Sequence, residues 1–503
     1  RMLGAAGYEE TLHIVLVQQF GLASDVAEHL AHTYGTRAFQ VASIFPDMTM
    51  EQSLVAAVTA HRGELFSMFR RAPLPEARDR AGEIMDLLGM RAGLIAITKI
   101  DLVDREFIEL VEAEIEEERI YLFYCMYLLN LAGLLGIAIT GDVFNLFVFL
   151  EISSLSSYVM ISLGRDKRAL TAAYRYLVMG TIGATFYIIG VGMMYMTTGS
   201  LNMADLAAIL PAVADSRTVL VALGFLTVGL GLKLALFPLH LWLPNAYAYA
   251  PSAVTVFLAA SGTKVAVYAF IRIFFTVFGG VEIFTAGVIP QILALLAALA
   301  MIGASTVAVY QTDVKRLLAY SSIAQIGYMV LGISMVTVTG LAGTIVHLFN
   351  HAIMKGGLFM AMGCILFKIG AVQLDQFEGL GKRMPVTMAA FVAGGFSLIG
   401  VPLTVGFVSK WYLVQAALEK GWWLAVAAIL ASSLLAVIYI WRVVEVAYFR
   451  PPPKGSAEVS EAPLSMLVPL WILIGASYYF GIDATQTLDI AFAAAETLFA
   501  PPL

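Results

Sequence analysis

Over residues 1–118 short apolar runs alternate with charged ones such as VEAEIEEER and FRRAPLPEARDR, and no stretch there is long enough to cross a bilayer. From Ile120 onward almost every position is apolar. A spanning helix needs about 20 mainly apolar residues. That window predicts eleven spans, at 119–140, 143–163, 174–197, 219–237, 252–279, 288–310, 317–338, 341–368, 386–417, 422–446 and 464–482. The ninth exceeds one straight crossing and carries Gly400 and Pro402 in its middle, so it reads as one broken helix, with two half-helices as the alternative. The predicted class is an all-α polytopic membrane protein of about eleven helices, preceded by a small soluble, mainly helical segment over 1–118. The opening RMLGAAGYEETLH has no charged stretch leading into an apolar core, so no signal peptide is expected.

Composition sharpens this picture. The 503 residues are 60% hydrophobic and only 13% charged, against roughly 25% charged in soluble domains. A disordered chain and a single soluble globule are thereby excluded. Lys+Arg 30 against Asp+Glu 36 leaves no basic excess to neutralise nucleic-acid phosphates. The two cysteines, Cys125 and Cys364, lie in apolar runs and imply neither a disulfide framework nor a metal site. Loop charges segregate as well. Arg165, Lys167, Arg168, Lys315, Arg316, Lys368, Lys382, Arg383, Arg450 and Lys454 fall on one side, and Arg217 and Lys420 on the other. Cytoplasmic loops carry the excess, which predicts 1–118 in the cytoplasm and the C-terminus outside.

Several ionisable residues fall within the predicted spans: Glu151, Lys233, Lys264, His347, His351, Lys355 and Lys410. Each charge costs about 2.5–3.5 kcal/mol at the bilayer centre, so such groups face an interior or a wet cavity and mark transport paths. Lys368 and Arg272, nearer helix ends, read instead as side chains snorkelling to the interface. His347, His351 and Lys355 recur every fourth residue in HLFNHAIMK and share one helix face. A zinc site of the H-E-x-x-H kind is disfavoured, because no glutamate intervenes and a lysine follows one turn later. A proton wire suits the spacing better, and polar glue between helices is the bland alternative. Burial disfavours an ammonium and a nearby carboxylate favours it, so Glu151 with Lys233 is the pair expected to exchange protons.

Two interruptions stand out. GLKLALFPLHLWLPNAYAYAPS places Lys233 one turn before Pro238, with Pro244 and Pro251 beyond, and GVPLTVGFVSKWYL places Pro402 two turns before Lys410. Transporters set their sites at helices broken in corresponding positions of two halves. The division is then 119–279 and 288–446, five helices each, with 464–482 as a terminal helix.

The segments GDVFNLFVFLEISSLSSYVMISL, the Pro238 stretch, SGTKVAVYAFIR, DVKRLLAYSSIAQIGYMVLG and HLFNHAIMKGGLFM together resemble the proton-conducting antiporter-like membrane subunits of Mrp-type monovalent cation/proton antiporters and respiratory complex I. The resemblance covers about 119–482. It implies proton-path roles for Glu151, Lys233, Lys264, His347, His351 and Lys410, and two inverted five-helix repeats. A lysine at 410 and the FNLFVFLEISSLSSY wording are most similar to the D-type chains of the Mrp antiporters. The implied function is proton translocation coupled to Na⁺ or another monovalent cation, with a pumping subunit of NADH:quinone oxidoreductase or a membrane hydrogenase as the alternative. Implied too are partner subunits in a hetero-oligomer and a prokaryotic cell membrane location. No flavin, iron–sulfur or quinone-reducing motif is visible, so neither cofactor nor metal is expected and the chain would carry protons, not electrons.

The family's fourteen helices include three ahead of Ile120, where this chain has soluble sequence instead. Residues 3–42 resemble the C-terminal cap of FAD-dependent glycerol-3-phosphate dehydrogenases. Residues 85–117 resemble part of a selenocysteine-type translation GTPase, with Thr98, Lys99 and Asp101 as its guanine-reading motif. Neither a G-x-x-x-x-G-K-[ST] loop nor a G-x-G-x-x-G turn accompanies them. The segment therefore reads as a mosaic or an artefact of joining, and a nucleotide-binding module anchored by the membrane part is the third reading. The isolated segment 1–118 is expected to bind no GTP; saturable binding by calorimetry would favour that third reading.

Overall fold

A computed structural model of the chain describes residues 114–115, 119–281, 287–452 and 459–499, all within one compact unit, Glu106–Leu503. The resemblances at 3–42 and at 85–113, with Thr98, Lys99 and Asp101, lie outside the described residues. The chain is an all-α polytopic membrane protein. Among the described residues nine helices are long and apolar enough to span a bilayer. They are α1 (Ile120–Ile139), α2 (Val143–Ser162), α3 (Lys167–Thr198), α6 (Ser252–Val277), α7 (Val288–Val309), α8 (Val314–Ser334), α9 (Val338–Ile369), α12 (Trp423–Phe449) and α13 (Leu464–Ile482). Shorter helices lie between and after them: α4 (Arg217–Lys233), α5 (Leu243–Tyr249), α10 (Pro385–Ile399), α11 (Val405–Glu419) and α14 (Thr485–Phe499). The ninth predicted window is thus two helices, α10 and α11. Helix α14 escapes the hydropathy window because it has only 15 residues and Gln486, Asp489, Glu496 and its threonines dilute it; it turns Ala491 and Ala495 inward and packs on α9.

Helix ends are fixed by local chemistry. Asp142 caps α2 by accepting from the Phe144 and Asn145 amides, both at 2.8 Å. Asp313 caps α8 through the Arg316 amide at 2.9 Å. Such caps satisfy amides that the helix itself leaves unpaired. Helices α3 and α9 both end on a left-handed glycine, Gly199 (φ 72°) and Gly370 (φ 66°), where a side chain would be strained. Beyond each glycine the chain folds back on the capping aspartate of the preceding helix. In the first case Val143 N bonds Leu201 O at 2.9 Å and Met203 N bonds Gly141 O at 2.8 Å. In the second, Val314 N bonds Val372 O at 2.9 Å and Leu374 N bonds Thr312 O at 2.8 Å. The second set repeats the first at one constant offset along the chain. Ahead of α1, Ile115 pairs with Gly164, and the Glu114 carboxylate accepts from the Ser252 amide at 2.7 Å, capping α6.

Helix α8 is the interior element, with 94% of its spanning window buried. It packs on α7 and α9, and α9 in turn meets α6, α10, α11, α13 and α14. Helices α12 and α13 turn leucines and isoleucines outward, among them Leu430, Leu434 and Ile472. Helices α3 and α4 approach through small residues, as membrane helices do where side-chain packing alone holds them. A Cβ added at Gly229 would stand 2.7 Å from the Tyr187 amide nitrogen and 2.8 Å from the Gly183 carbonyl oxygen. Replacing Gly229→Val should lower the thermal midpoint in detergent, with a loss on the order of 1–3 kcal/mol. An unchanged midpoint would show that these helices do not approach this closely.

Candidate functional site

Helix α4 stops at Lys233. The chain then passes through Ala235 in the left-handed region (φ 61°) and a cis Phe237–Pro238 bond. Pro244 stands in the first turn of α5, where a proline is tolerated because its missing N–H has no helical acceptor. The Leu232 carbonyl at the end of α4 accepts from the Trp242 indole at 2.9 Å, and that indole stacks on Tyr176 with 3.8 Å between ring centres. On this clamped turn the Lys233 ammonium donates to Glu151 Oε1 at 2.7 Å and to Ser154 Oγ at 2.7 Å. Glu151 and Ser154 lie one turn apart on α2, so a single helix face holds the amine. Lys233 is buried, and the Glu151 side chain keeps 22% of its surface exposed.

Helix α6 carries a wide turn of π geometry over Leu258–Gly262, a local form often found at functional positions. The Lys264 ammonium donates to the Ala259 carbonyl in this turn and to Thr263 Oγ at 3.3 Å. Lys264 is an electrostatic neighbour of His347, His351 and Lys355 across the α6–α9 interface.

On α9 the imidazoles of His347 and His351 lie parallel, 6.1 Å apart. His347 Nδ1 is 2.8 Å from Ser409 Oγ. Both ring nitrogens of His351 and Nε2 of His347 are buried without a protein partner among the described residues. Among the described residues no group of three or more His, Cys, Asp or Glu side chains gathers here as a metal site would. Lys355 leaves this stack for α8, donating to Leu318 O at 2.7 Å and to Ser321 Oγ. At the second break, Gly400 (φ 91°) and Leu403 (φ 72°) turn the chain around Pro402. The carbonyls of Leu398 and Ile399, freed at the end of α10, accept from Lys410 at 3.0 and 2.8 Å. Ser433 Oγ accepts the third N–H at 3.1 Å, and the Tyr328 ring lies 4.9 Å away.

The structure thus places Glu151 directly against Lys233, and His347 beside His351 and, through Ser409, next to Lys410. It gives no hydrogen bond between Lys233 and Lys264, nor between Lys264 and His351. Lys368, near the end of α9, reaches Ser460 at 3.2 Å, and Arg272 reaches the Tyr268 hydroxyl at 2.7 Å. The sequence pattern counts Lys315 as a loop charge. It is instead 2% exposed, donating to the Ala250 carbonyl at 3.0 Å. The hydroxyls of Ser154, Ser409 and Ser433 escape sequence reasoning altogether, since serine carries no signal of its own in an apolar run.

Chemically, the assembly consists of amines and imidazoles, each able to release and recover one proton. Among the described residues five lysines are buried and no carboxylate is. Four of those five, Lys264, Lys315, Lys355 and Lys410, donate to main-chain carbonyls. Of these five, Lys233 is the one in an ion pair with a carboxylate among the described residues.

Known proteins resemble this chain in sequence and fold. Residues 140–436 match the family model described as NADH:quinone oxidoreductase/Mrp antiporter, TM. Residues 1–66 match the C-terminal domain of alpha-glycerophosphate oxidase, in line with the resemblance seen at 3–42. The chain is 48% identical over 366 residues to NADH-quinone oxidoreductase subunit N of Desulforudis audaxviator, covering 70% of this chain and 72% of that one. It is 32% identical over 387 residues to the D chain of the Na(+)/H(+) antiporter of Alkalihalophilus pseudofirmus, covering 77% and 78%. A chain in the structure of the Mrp complex from Dietzia sp. superposes with a TM-score of 0.69 at 28% identity, covering 75% of this chain and 78% of that one. With more than half its length matched by the family model and its buried amines set on broken helices, this chain belongs to the NADH:quinone oxidoreductase/Mrp antiporter transmembrane family.

Proposed function

We propose that the chain is a proton-translocating subunit of a hetero-oligomeric membrane complex that exchanges protons for Na⁺ or another monovalent cation. The observation that carries this reading is the Lys233–Glu151 contact of 2.7 Å at a helix break, followed by a line of ionisable groups that ends at the second break. In this reading Glu151 and Lys233 exchange the first proton. Lys264, His351, His347 and Lys355 pass it inward, and Lys410 is the distal station. The carboxylate that holds Lys233 keeps part of its surface exposed and can withdraw, whereas the carbonyls that hold Lys410 are fixed. A proton is thus released where the partner moves and held where it does not.

The two five-helix repeats, 119–279 and 288–446, belong to the same proposal, with 464–482 as a terminal helix and eleven crossings in all. Their support is the doubled backbone bridge from Asp142 to Asn202 and from Asp313 to Gln373, which recurs at a constant offset. The proposed location is a prokaryotic cell membrane, and the segregated loop charges support the orientation, with 1–118, a mosaic or an artefact of joining, on the cytoplasmic side. A pumping subunit of an NADH:quinone oxidoreductase is the second reading, and the 48% identity to a subunit N favours it.

Proton movement in vesicles bearing the assembled complex, followed with a pH-sensitive dye, separates the two. Na⁺-driven movement fits exchange, and NADH- or quinone-dependent movement fits the redox complex. In either case Glu151→Gln should slow proton movement by at least roughly tenfold while the subunit still inserts and assembles. An unchanged rate would remove the pair from the path.

A further inference from the structure

At the end of the bundle where α7, α9 and α12 finish lies a cavity of about 460 Å³, within the roughly 300–1,000 Å³ of small-molecule sites. Thr312 of the α7–α8 turn, Asp375 beyond α9, and Arg442, Glu445 and Arg450 at the end of α12 border it. Arg450 and Glu445 are already matched. The Arg450 guanidinium lies 3.5 Å from the Glu445 carboxylate and 3.6 Å from that of Glu378. Arg442 and Asp375 are not matched. The Arg442 guanidinium makes one long hydrogen bond, to the Gln311 carbonyl at 3.4 Å, and Asp375 is exposed. Among the described residues neither of them stands in an ion pair.

An unmatched cation and an unmatched anion on one cavity complement a zwitterion that carries a phosphate and an ammonium a few atoms apart. The surroundings point to the membrane as its source. Trp441 and Phe449 of α12 are exposed, with ring centres 5.8 Å apart, and Tyr310 at the end of α7 is 77% exposed. Outward aromatic rings at helix ends mark the level of the lipid headgroups. Leu434 and Ile438 stand two turns and one turn before Arg442 on the same face of α12, and both are exposed. An apolar track for acyl chains therefore leads to the cavity. No aromatic ring lines the cavity among the described residues, so nothing cages a quaternary ammonium. A primary ammonium, by contrast, can donate to the Asp375 carboxylate and the Thr312 hydroxyl.

We propose that this cavity is a specific site for phosphatidylethanolamine, with the lipid phosphate on Arg442, its ammonium on Asp375 and its acyl chains along Leu434 and Ile438. The guanidinium offers paired N–H donors to the phosphate oxygens. Phosphatidylglycerol brings the same phosphate but sets hydroxyls against Asp375. Phosphatidylcholine brings a cation that has no N–H to donate. The bound headgroup ties the end of α12 to the loops that follow α7 and α9. The site does not depend on which ion exchange or redox reaction the complex performs.

The test uses the full chain assembled with its partners in nanodiscs holding phosphatidylethanolamine, phosphatidylglycerol and phosphatidylcholine in equal parts. Native mass spectrometry after release into detergent reads which lipids stay bound. The parent should retain phosphatidylethanolamine at least about tenfold over either other lipid, as expected from charge-assisted hydrogen bonds. Arg442→Gln should lose that retention. Asp375→Asn should keep a phospholipid but bring phosphatidylethanolamine and phosphatidylglycerol within about threefold of each other. Both residues sit at helix ends, and an unchanged thermal midpoint in each variant shows that the fold is intact. A parent that holds the three lipids equally would overturn the proposal, and so would undiminished retention in Arg442→Gln. Free phosphoethanolamine at millimolar concentration should leave the lipid in place; displacement would assign the cavity to a soluble phosphate ester and sink the lipid reading. A photocrosslinker at position 442 should capture lipid, and capture of a partner subunit instead would show a protein interface and equally end the proposal.

Discussion

A helix interrupted at bilayer depth leaves main-chain carbonyls that no water from bulk can satisfy, and each must find a donor inside the protein. Much of this chain's chemistry follows from how it meets that demand. The end of α4 gives its Leu232 carbonyl to an indole. The end of α10 gives two carbonyls to Lys410, and the wide turn of α6 gives one to Lys264. The turn between α5 and α6 gives the Ala250 carbonyl to Lys315. Amines are well suited to this task. An ammonium has three donors, and the neutral amine still has two, so the bond to the carbonyl survives a change of charge.

This dual use bears on the contrast between polar glue and proton path as readings of the buried residues. At four of the five buried lysines the same side chain closes the backbone and carries a removable proton. Lys233 differs, because the backbone there is closed by Trp242 and the amine is left to a carboxylate and a hydroxyl. The two breaks share a lysine but assign it different work. At the first the lysine is free to answer its partner, and at the second it is part of the fold.

Hydropathy made nine spans legible among the described residues, and the prolines beside Lys233 and Lys410 made the breaks legible. The pairing of Glu151 with Lys233 followed from the cost of leaving either alone in an apolar interior. Other features depend on register between distant helices and left no mark in the sequence. Ser154, Ser409 and Ser433 become partners only because α2, α11 and α12 turn them toward an amine or imidazole. Lys315 misled because it follows a capping aspartate and so reads as a turn residue, although the first turn of α8 is already covered by its neighbours. The π turn of α6 needs no distinctive residue and so could not be foreseen.

The burial of α8 reaches beyond transport. It has the lowest mean hydropathy of the nine spans, 1.4, and lipid-facing surface almost nowhere. Its Ser321, Ser322 and Gln325 are buried against other helices. A helix of this kind gains less from hydrocarbon than its neighbours do: Ser321 and Ser322 bond back to the Leu318 carbonyl of their own helix, and Ser321 gains the Lys355 ammonium only with α9 beside it. The surroundings of α8 are therefore complete only once α7 and α9 have packed against it, so that protein, and not lipid, is the solvent of this span.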